Sequence, residues 1–547
     1  MKGLRILYCI LLLLPLLSTA QDTSIRFGSE TEEKKFNTFP IMLGSDGQYF
    51  YALRLKNIMR FPGLKVMRGG SEAGKMSLML LGFARFRSDR KLMEPESYYS
   101  PHAEYFLEKY DNSLSLLSQQ KIEIPQSKEK DQQVKKVFFL NGKFIAFSTI
   151  WYDKEKKTEA GYQFISPEGK MDPSFNVLAS IPKSKSNTDD KNTCEFELSP
   201  DRSRILFLNY ELDEEKQPRK VSVKVLKSDM SEIWNRSFTL NIREKDLDID
   251  EAQVDNNGRV VVLGRIFLEG KEKSENKQKF KYHFLAFNAD MKEPSEFEIK
   301  PGNERFVSDI KYFFDDKSNI IVTGFYSEKS ASKLKGVYYQ KVEGAAMSMA
   351  PIVTADMDQA FFAEMVGSKK AEKTEELSEF HIREIFPAAN GSLTFVAERF
   401  FIDATKRSNS YIPDFTFAYN YEDILVFNMT VNASINWVRK IPKKQRTVDD
   451  GAFYSSFVCS NSGGTICIVY NAKKEDPNKV MYNPRSAFAY VSTVDPAGNV
   501  STKPLFSAKE EETIMTPKVS LIPSPGKIIV HNIRGTTFKF AEIIFGK

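Results

Sequence analysis

Residues 253–264 read QVDNNGRVVVLG. An alternating apolar run enters an Asp-Asn-Asn-Gly turn, and a β-branched run leaves it. This is the pattern of a tight antiparallel hairpin, in which Gly258 supplies the positive φ that the turn needs. The same figure returns in altered letters at GSDGQYFYAL (44–53), LNGKFIAFST (140–149) and SPGKIIVHNI (524–533). Aligned on the turn, it falls eight times: at Gly47, Gly142, Ser203, Gly258, Ser318, Gly391, Gly464 and Gly526. The mean spacing is about 68 residues, a repeat length suited to one four-stranded unit.

The strands leaving these turns are runs such as VVVLGRIF and IIVTGFY, the composition of strands buried on both faces. A second, more polar hairpin follows each of the first seven. Each repeat is therefore read as four strands, a to d, with the Gly turn joining a to b. The eighth repeat supplies only three strands before the chain stops. An unclaimed strand, SIRFGSE (24–30), lies near the other end. Pairing it with the last repeat closes a ring and removes the exposed edge. The predicted fold is all-β: a single β-propeller over residues 21–547, with eight four-stranded blades closed by an N-terminal strand. Seven blades is the alternative if the first hairpin, interrupted by its insert, does not form a blade.

The stretch ELSPDRSRILFLNY (197–210) resembles the Ser-Pro-Asp-Gly repeat of TolB-like and WD40-like bacterial propellers, with Arg202–Ser203 where Gly is usual. The hairpins SDMSEIWNRSF (228–238) and TVNASINWVRKI (430–441) look like the Trp-ended hairpins of quinoprotein propellers. The resemblance implies an extracytoplasmic propeller architecture. It carries no catalytic residue across.

The N-terminus reads as a secretory leader: Lys2 and Arg5, then the apolar run Ile6–Leu17, then the small residues Ser18-Thr19-Ala20. The run is too short to span a bilayer, for which about 20 apolar residues are needed. Residues 1–20 are expected to be removed and the product exported, to a periplasm or the exterior. The formal net charge of +6 falls to +4 without Lys2 and Arg5, and no basic face argues for nucleic acid. Cys194, Cys459 and Cys467 remain. In FVCSNSGGTICIVY, pairing centred on Gly463 would set Cys459 opposite Cys467, where a cross-strand disulfide or two core thiols are the readings.

In a propeller the a–b and c–d turns share one face, and the b–c and d–a connections share the other. Here the first class is uniformly short. The second carries every large insertion, notably 57–101, 352–380 and 399–420. Variable loops on a rigid scaffold are where binding concentrates. Segment 399–420 brings Phe400, Phe401, Arg407, Tyr411, Phe415 and Tyr419 together, and 57–101 adds Tyr98 and Tyr99. Aromatic and Arg anchors suit a protein interface, and aromatic platforms also hold sugars. The alternative for 399–420 is that strands b and c extend and the aromatics pack the hairpin. Segment 357–366 should form a short amphipathic helix with Phe361 and Met365 on one side; the charged stretch after it reads as solvated linker.

No chemistry is legible. Gly69-x₄-Gly74-Lys75 has phosphate-loop spacing, but Met76 stands where Ser/Thr must meet magnesium. DLDIDE (246–251) has Glu251 where a calcium loop turns on Gly. The four His are scattered. No metal, cofactor or catalytic set is assigned. The reading is a non-catalytic, monomeric propeller that takes a protein partner on its long-loop face; the alternatives are a carbohydrate or envelope-polymer binder, and an enzyme with its site at the central channel.

Overall fold

The computed structural model describes residues 23–33, 38–56, 103–125, 130–182, 194–211, 218–243, 246–269, 278–302, 304–344, 347–406, 415–448, 450–473 and 483–546. They form eight antiparallel sheets in a ring, each with strands in the order a-b-c-d. The inner strands a are Thr38–Ser45, Lys130–Leu140, Cys194–Leu198, Leu247–Val254, Phe306–Phe314, Phe380–Pro387, Phe457–Ser462 and Ile514–Ser524, one for each of blades 1 to 8. Blade 8 lacks its own outer strand. Thr23–Phe27 supplies it, pairing antiparallel with strand c, Thr537–Phe545, so that Ile25 faces Ile543. The first hairpin is a true blade, so the count is eight.

Burial explains the composition. In strand b of blade 5, Ile320–Ser327, all eight residues are buried, because both faces of an inner strand meet a neighbouring blade. Each of the eight interblade seams holds its own apolar cluster. Leu53 and Leu55 meet Val134 and Phe139 between blades 1 and 2. Phe50 and Tyr110 of blade 1 meet Phe540 of blade 8, with Phe50 stacked on Tyr110 at 4.4 Å and Phe540 set edge-on to both. Two seams add an indole donor: Trp234 Nε1 donates to Gly258 O at 2.8 Å and Trp437 Nε1 to Pro496 O at 3.0 Å.

Four of the eight a–b turns are built on an Asp, and those at Gly391 and Gly464 on Asn390 and Asn461. Asp255 Oδ1 accepts from the N–H groups of Asn257 and Arg259, and Gly258 sits at φ 91°. Asp46 and Asp315 repeat the figure. At the fifth turn Ser318 takes the left-handed conformation itself; at the third it is Arg202, one residue before the expected Ser203.

Blade 7 corrects the cysteine reading. Its hairpin turns on both Gly463 and Gly464, so Ser462 faces Thr465, Cys459 faces Ile468 and Cys467 faces Ser460. A one-residue slip in register sends a side chain to the other face of the sheet. Cys459 therefore lies in the seam with blade 6 and Cys467 in the seam with blade 8, both as free thiols.

The helix expected near 357–366 is α1, Gln359–Val366, capped by Asp358 Oδ1 on the Phe361 N–H. Phe361, Phe362 and Met365 bury into the seam between blades 5 and 6. The stretch 369–377 is not a free linker. Glu376 accepts from Ser327 Oγ and the Glu328 N–H, and Leu377–Ser378 pairs with Lys333–Leu334.

Candidate functional site

Blade 6 departs from the others. Its strands b and c, Leu393–Lys406 and Phe415–Met429, are 14 and 15 residues long and stay paired from Leu393–Met429 out to Lys406–Phe415. Strand a reaches only as far as Arg399, where a bulge interrupts the register. Beyond Arg399 the pair leaves the blade as a ribbon on the long-loop face. A further strand, Gln445–Val448, pairs with Ala418–Tyr421 and thickens its base. Asp403, Ala404 and Thr405 on the outgoing strand are exposed.

The ribbon resolves the aromatic segment. Phe400 is a correction to the surface reading: it is 1% exposed and packs on Tyr421 with ring centres 4.5 Å apart and planes tilted by 41°, closing the ribbon's root with Ala452. Tyr419 packs partly against this root. Phe401 is half-buried beside the Arg399 guanidinium, 5.0 Å from its ring centre, and Arg399 also pairs with Glu422. Phe415 stands opposite Lys406 at the far end of the described ladder. Arg407, Tyr411, Tyr98, Tyr99 and the phosphate-loop spacing at 69–75 lie outside the described residues. So does the leader, residues 1–20.

Beneath the ribbon's root lies a polar cluster that the sequence did not announce. Glu398, fully buried, accepts from Lys443 Nζ at 2.7 Å, Ser456 Oγ at 2.7 Å and Arg383 Nε at 3.3 Å. Burial alone would push its carboxyl up; Lys443 and Arg383 outweigh that and hold it below the ordinary carboxylate range. Lys443 is equally buried and also donates to Gln445 Oε1 at 3.0 Å; burial pushes its amine down, and Glu398 offsets only part of this. Gln445 then donates to Asn471 O and accepts from the Ser456 N–H, locking blade 6 to blade 7.

Lys518 reaches this cluster from strand a of blade 8. Its Nζ donates to Tyr421 Oη at 3.0 Å and Ala452 O at 2.8 Å, and lies 4.6 Å from the centre of the Tyr421 ring. Burial lowers its pKa to about 7, against partial support from Glu398 and Asp450. Asp450, whose Oδ1 accepts from the Ala452 N–H, is itself pushed up by burial.

Residues 450–456 join this cluster to the ring's axis. They leave blade 6 near Val448 and enter blade 7 at Phe457, yet Phe453 packs against the clusters of blades 1–2 and 8–1, and Tyr454 against the latter. The segment therefore crosses the mouth of the channel. Gly451, Ala452 and Ser456 all take positive φ to make that path. Strain of this kind in non-glycine residues persists only where the surroundings hold it, here through Lys518, Gln445 and Glu398.

The signal that could have found the cluster is a charge interrupting an apolar strand b. Glu398 in LTFVAERF has counterparts in Arg54 of FYALRLK and Arg265 of VVVLGRIF. Each finds a partner: Arg54 pairs with the buried Glu108, and Arg265 with Asp248 and Asp250. Asp248 and Asp250 of DLDIDE thus serve a guanidinium. Among the described residues, no group of three or more His, Cys, Asp and Glu could hold a metal ion, and no helix is long and apolar enough to cross a membrane.

No family model matches the chain, and no curated protein does. Solved structures do. The WD40 domain of SCAP from fission yeast is 8% identical, with 78% of this chain and 98% of that chain covered and a TM-score of 0.27. The polysaccharide lyase Uly1 is 10% identical over 74% of this chain and 88% of its own, TM-score 0.30. A putative exo-beta-1,3-galactanase from Bifidobacterium bifidum s17 is 10% identical over 58% and 92%, TM-score 0.25. At such values the propeller assignment stands on the strand order and the ring closure described above.

Proposed function

We propose that the chain is an exported propeller of a bacterial cell envelope that binds a protein partner through its long-loop face, with the blade 6 ribbon as the main docking element. The observation that carries this reading is the ribbon. It is a paired extension beyond the ring, set on a base of buried ion pairs and hydrogen bonds that fixes its direction. A preorganised element loses little freedom on binding, which favours affinity. The outgoing strand Phe401–Lys406 has no ladder neighbour on its strand-a side among the described residues, and such an edge can add a partner's strand. The a–b turns opposite are short, four of them tied down by an Asp side chain and two by an Asn, and offer nothing comparable. Export rests on the leader-like residues 1–20 and is tested by N-terminal sequencing of the product, which should begin at Gln21.

The binding test compares the intact protein with a variant in which residues 403–418 are replaced by a two-residue turn. Both are used as bait against envelope extract, with thermal melting as the control for folding. The reading expects specific capture by the intact protein and its loss in the variant. Capture unchanged in a folded variant overturns it.

A further inference from the structure

The cluster at the channel mouth carries more positive than negative charge. Arg383 and Lys443 of blade 6 and Lys518 of blade 8 converge on it, against Glu398 and Asp450. Glu398 is spent on three donors: Lys443, Ser456 and Arg383. Asp450 is turned to the Ala452 N–H, and burial favours its neutral form. Asp423 Oδ1 accepts from the Lys443 backbone N–H, and its charge acts on that lysine. Lys518 is left with two uncharged acceptors, the Tyr421 phenol and the Ala452 carbonyl. An ammonium has three N–H donors, and the third has no partner among the described residues. A charge in this position, without a counter-charge in hydrogen-bond reach, is costly. The residue as a whole keeps partial exposure, on the inner strand of blade 8.

From this geometry we propose that Lys518 anchors a site for a small oxyanion, a carboxylate or a phosphate monoester, at the mouth of the channel. The ligand's oxygen takes the third N–H and supplies the missing negative charge. Because Ala452 O is one of the lysine's other acceptors, the occupant sits against the 450–456 segment that spans the mouth. Binding draws a proton onto the amine when it starts neutral, so it strengthens as pH falls towards 7. The site is independent of the partner proposed for the ribbon and needs no partner for its test.

The test is competitive labelling of the intact protein with acetic anhydride across pH, read by mass spectrometry at Lys518. It is run in succinate, in glycerol phosphate, and in sodium chloride at matched ionic strength, so that screening is common to all arms. The proposal expects succinate or glycerol phosphate to move the midpoint of Lys518 labelling up by at least one unit, about a tenfold loss of reactivity on the steep part of the curve. Chloride should leave it in place. The arm that shifts names the oxyanion class. Calorimetry with the same ligand should then lose its signal in Lys518→Met and keep it in Lys518→Arg. A labelling profile identical in all three arms overturns the proposal, as does an equal shift in chloride.

Discussion

Glu398 is the residue on which the cluster turns, and its removal has a calculable cost. In Glu398→Leu, Lys443 stays fully buried with only Gln445 Oε1 as acceptor. Breaking a buried pair by deleting one partner costs about 3–5 kcal/mol. The Ser456 hydroxyl, which donates at 2.7 Å, loses its acceptor as well, adding about 1 kcal/mol or more. Arg383 is partly exposed and can turn to water, so its loss counts for little. The single substitution should therefore destabilise the protein by about 5 kcal/mol. In Glu398→Leu with Lys443→Met the orphaned charge is gone, and most of that cost should return, because an apolar pair of similar volume can replace a buried ion pair. The assay is urea unfolding of wild type, both single variants and the double, read as a double-mutant cycle. With a single cost of about 5 kcal/mol of which most returns in the double, a coupling energy of at least about 3 kcal/mol is expected. A Glu398→Leu cost below about 1 kcal/mol, or a double equal to the sum of the singles, would refute the claim that this pair holds the ribbon's base.

Three further outcomes follow from particular residues. Lys518 has a folded pKa of about 7, below its ordinary value of 10.5, so the folded state binds fewer protons than the unfolded one between these values. Stability should rise with pH across that window, by at most about 5 kcal/mol, and Lys518→Met should flatten the rise; parallel urea-midpoint profiles would contradict this. Gly324→Ala would set a methyl 2.0 Å from Asp309 O, a backbone atom that cannot retreat, whereas Gly47→Ala meets nothing within 4 Å and costs only its positive φ. Thermal melting should show the first losing about 3 kcal/mol or more and the second about 1. Deleting residues 23–33 should open the ring, exposing the Thr537–Phe545 edge and the Phe27–Phe506 packing, with a lower Tm and aggregation by light scattering; the corresponding peptide added in trans should restore both.

The fold was largely legible because its signal is local. QVDNNGRVVVLG contains its turn, both strand patterns and the Asp that ties the turn, and the missing eighth outer strand pointed to Thr23–Phe27. Arg202 and Ser318 show the limit of that reading, since they fill left-handed positions without glycine when the Asp side chains hold the loop. Register was harder. Cys459 and Cys467 change seams on a difference of one residue, and two adjacent glycines leave that choice open in the sequence. The cluster was illegible for another reason: Arg383, Glu398, Lys443, Asp450 and Lys518 span 135 positions and meet only because the ring brings blade 8 within reach of blade 6. The aromatics of 399–420 looked alike in sequence, and only the ladder separates Phe400, buried at the root, from Phe401 beyond it.

The most direct measurement of the central claim is hydrogen exchange on the protein with its captured partner. The account predicts slowed amide exchange along 401–406 and 415–420, with the a–b turns at Gly47, Gly142, Gly258 and Gly526 unchanged. Protection confined to those turns, with the ribbon exchanging as it does in the free protein, would contradict it.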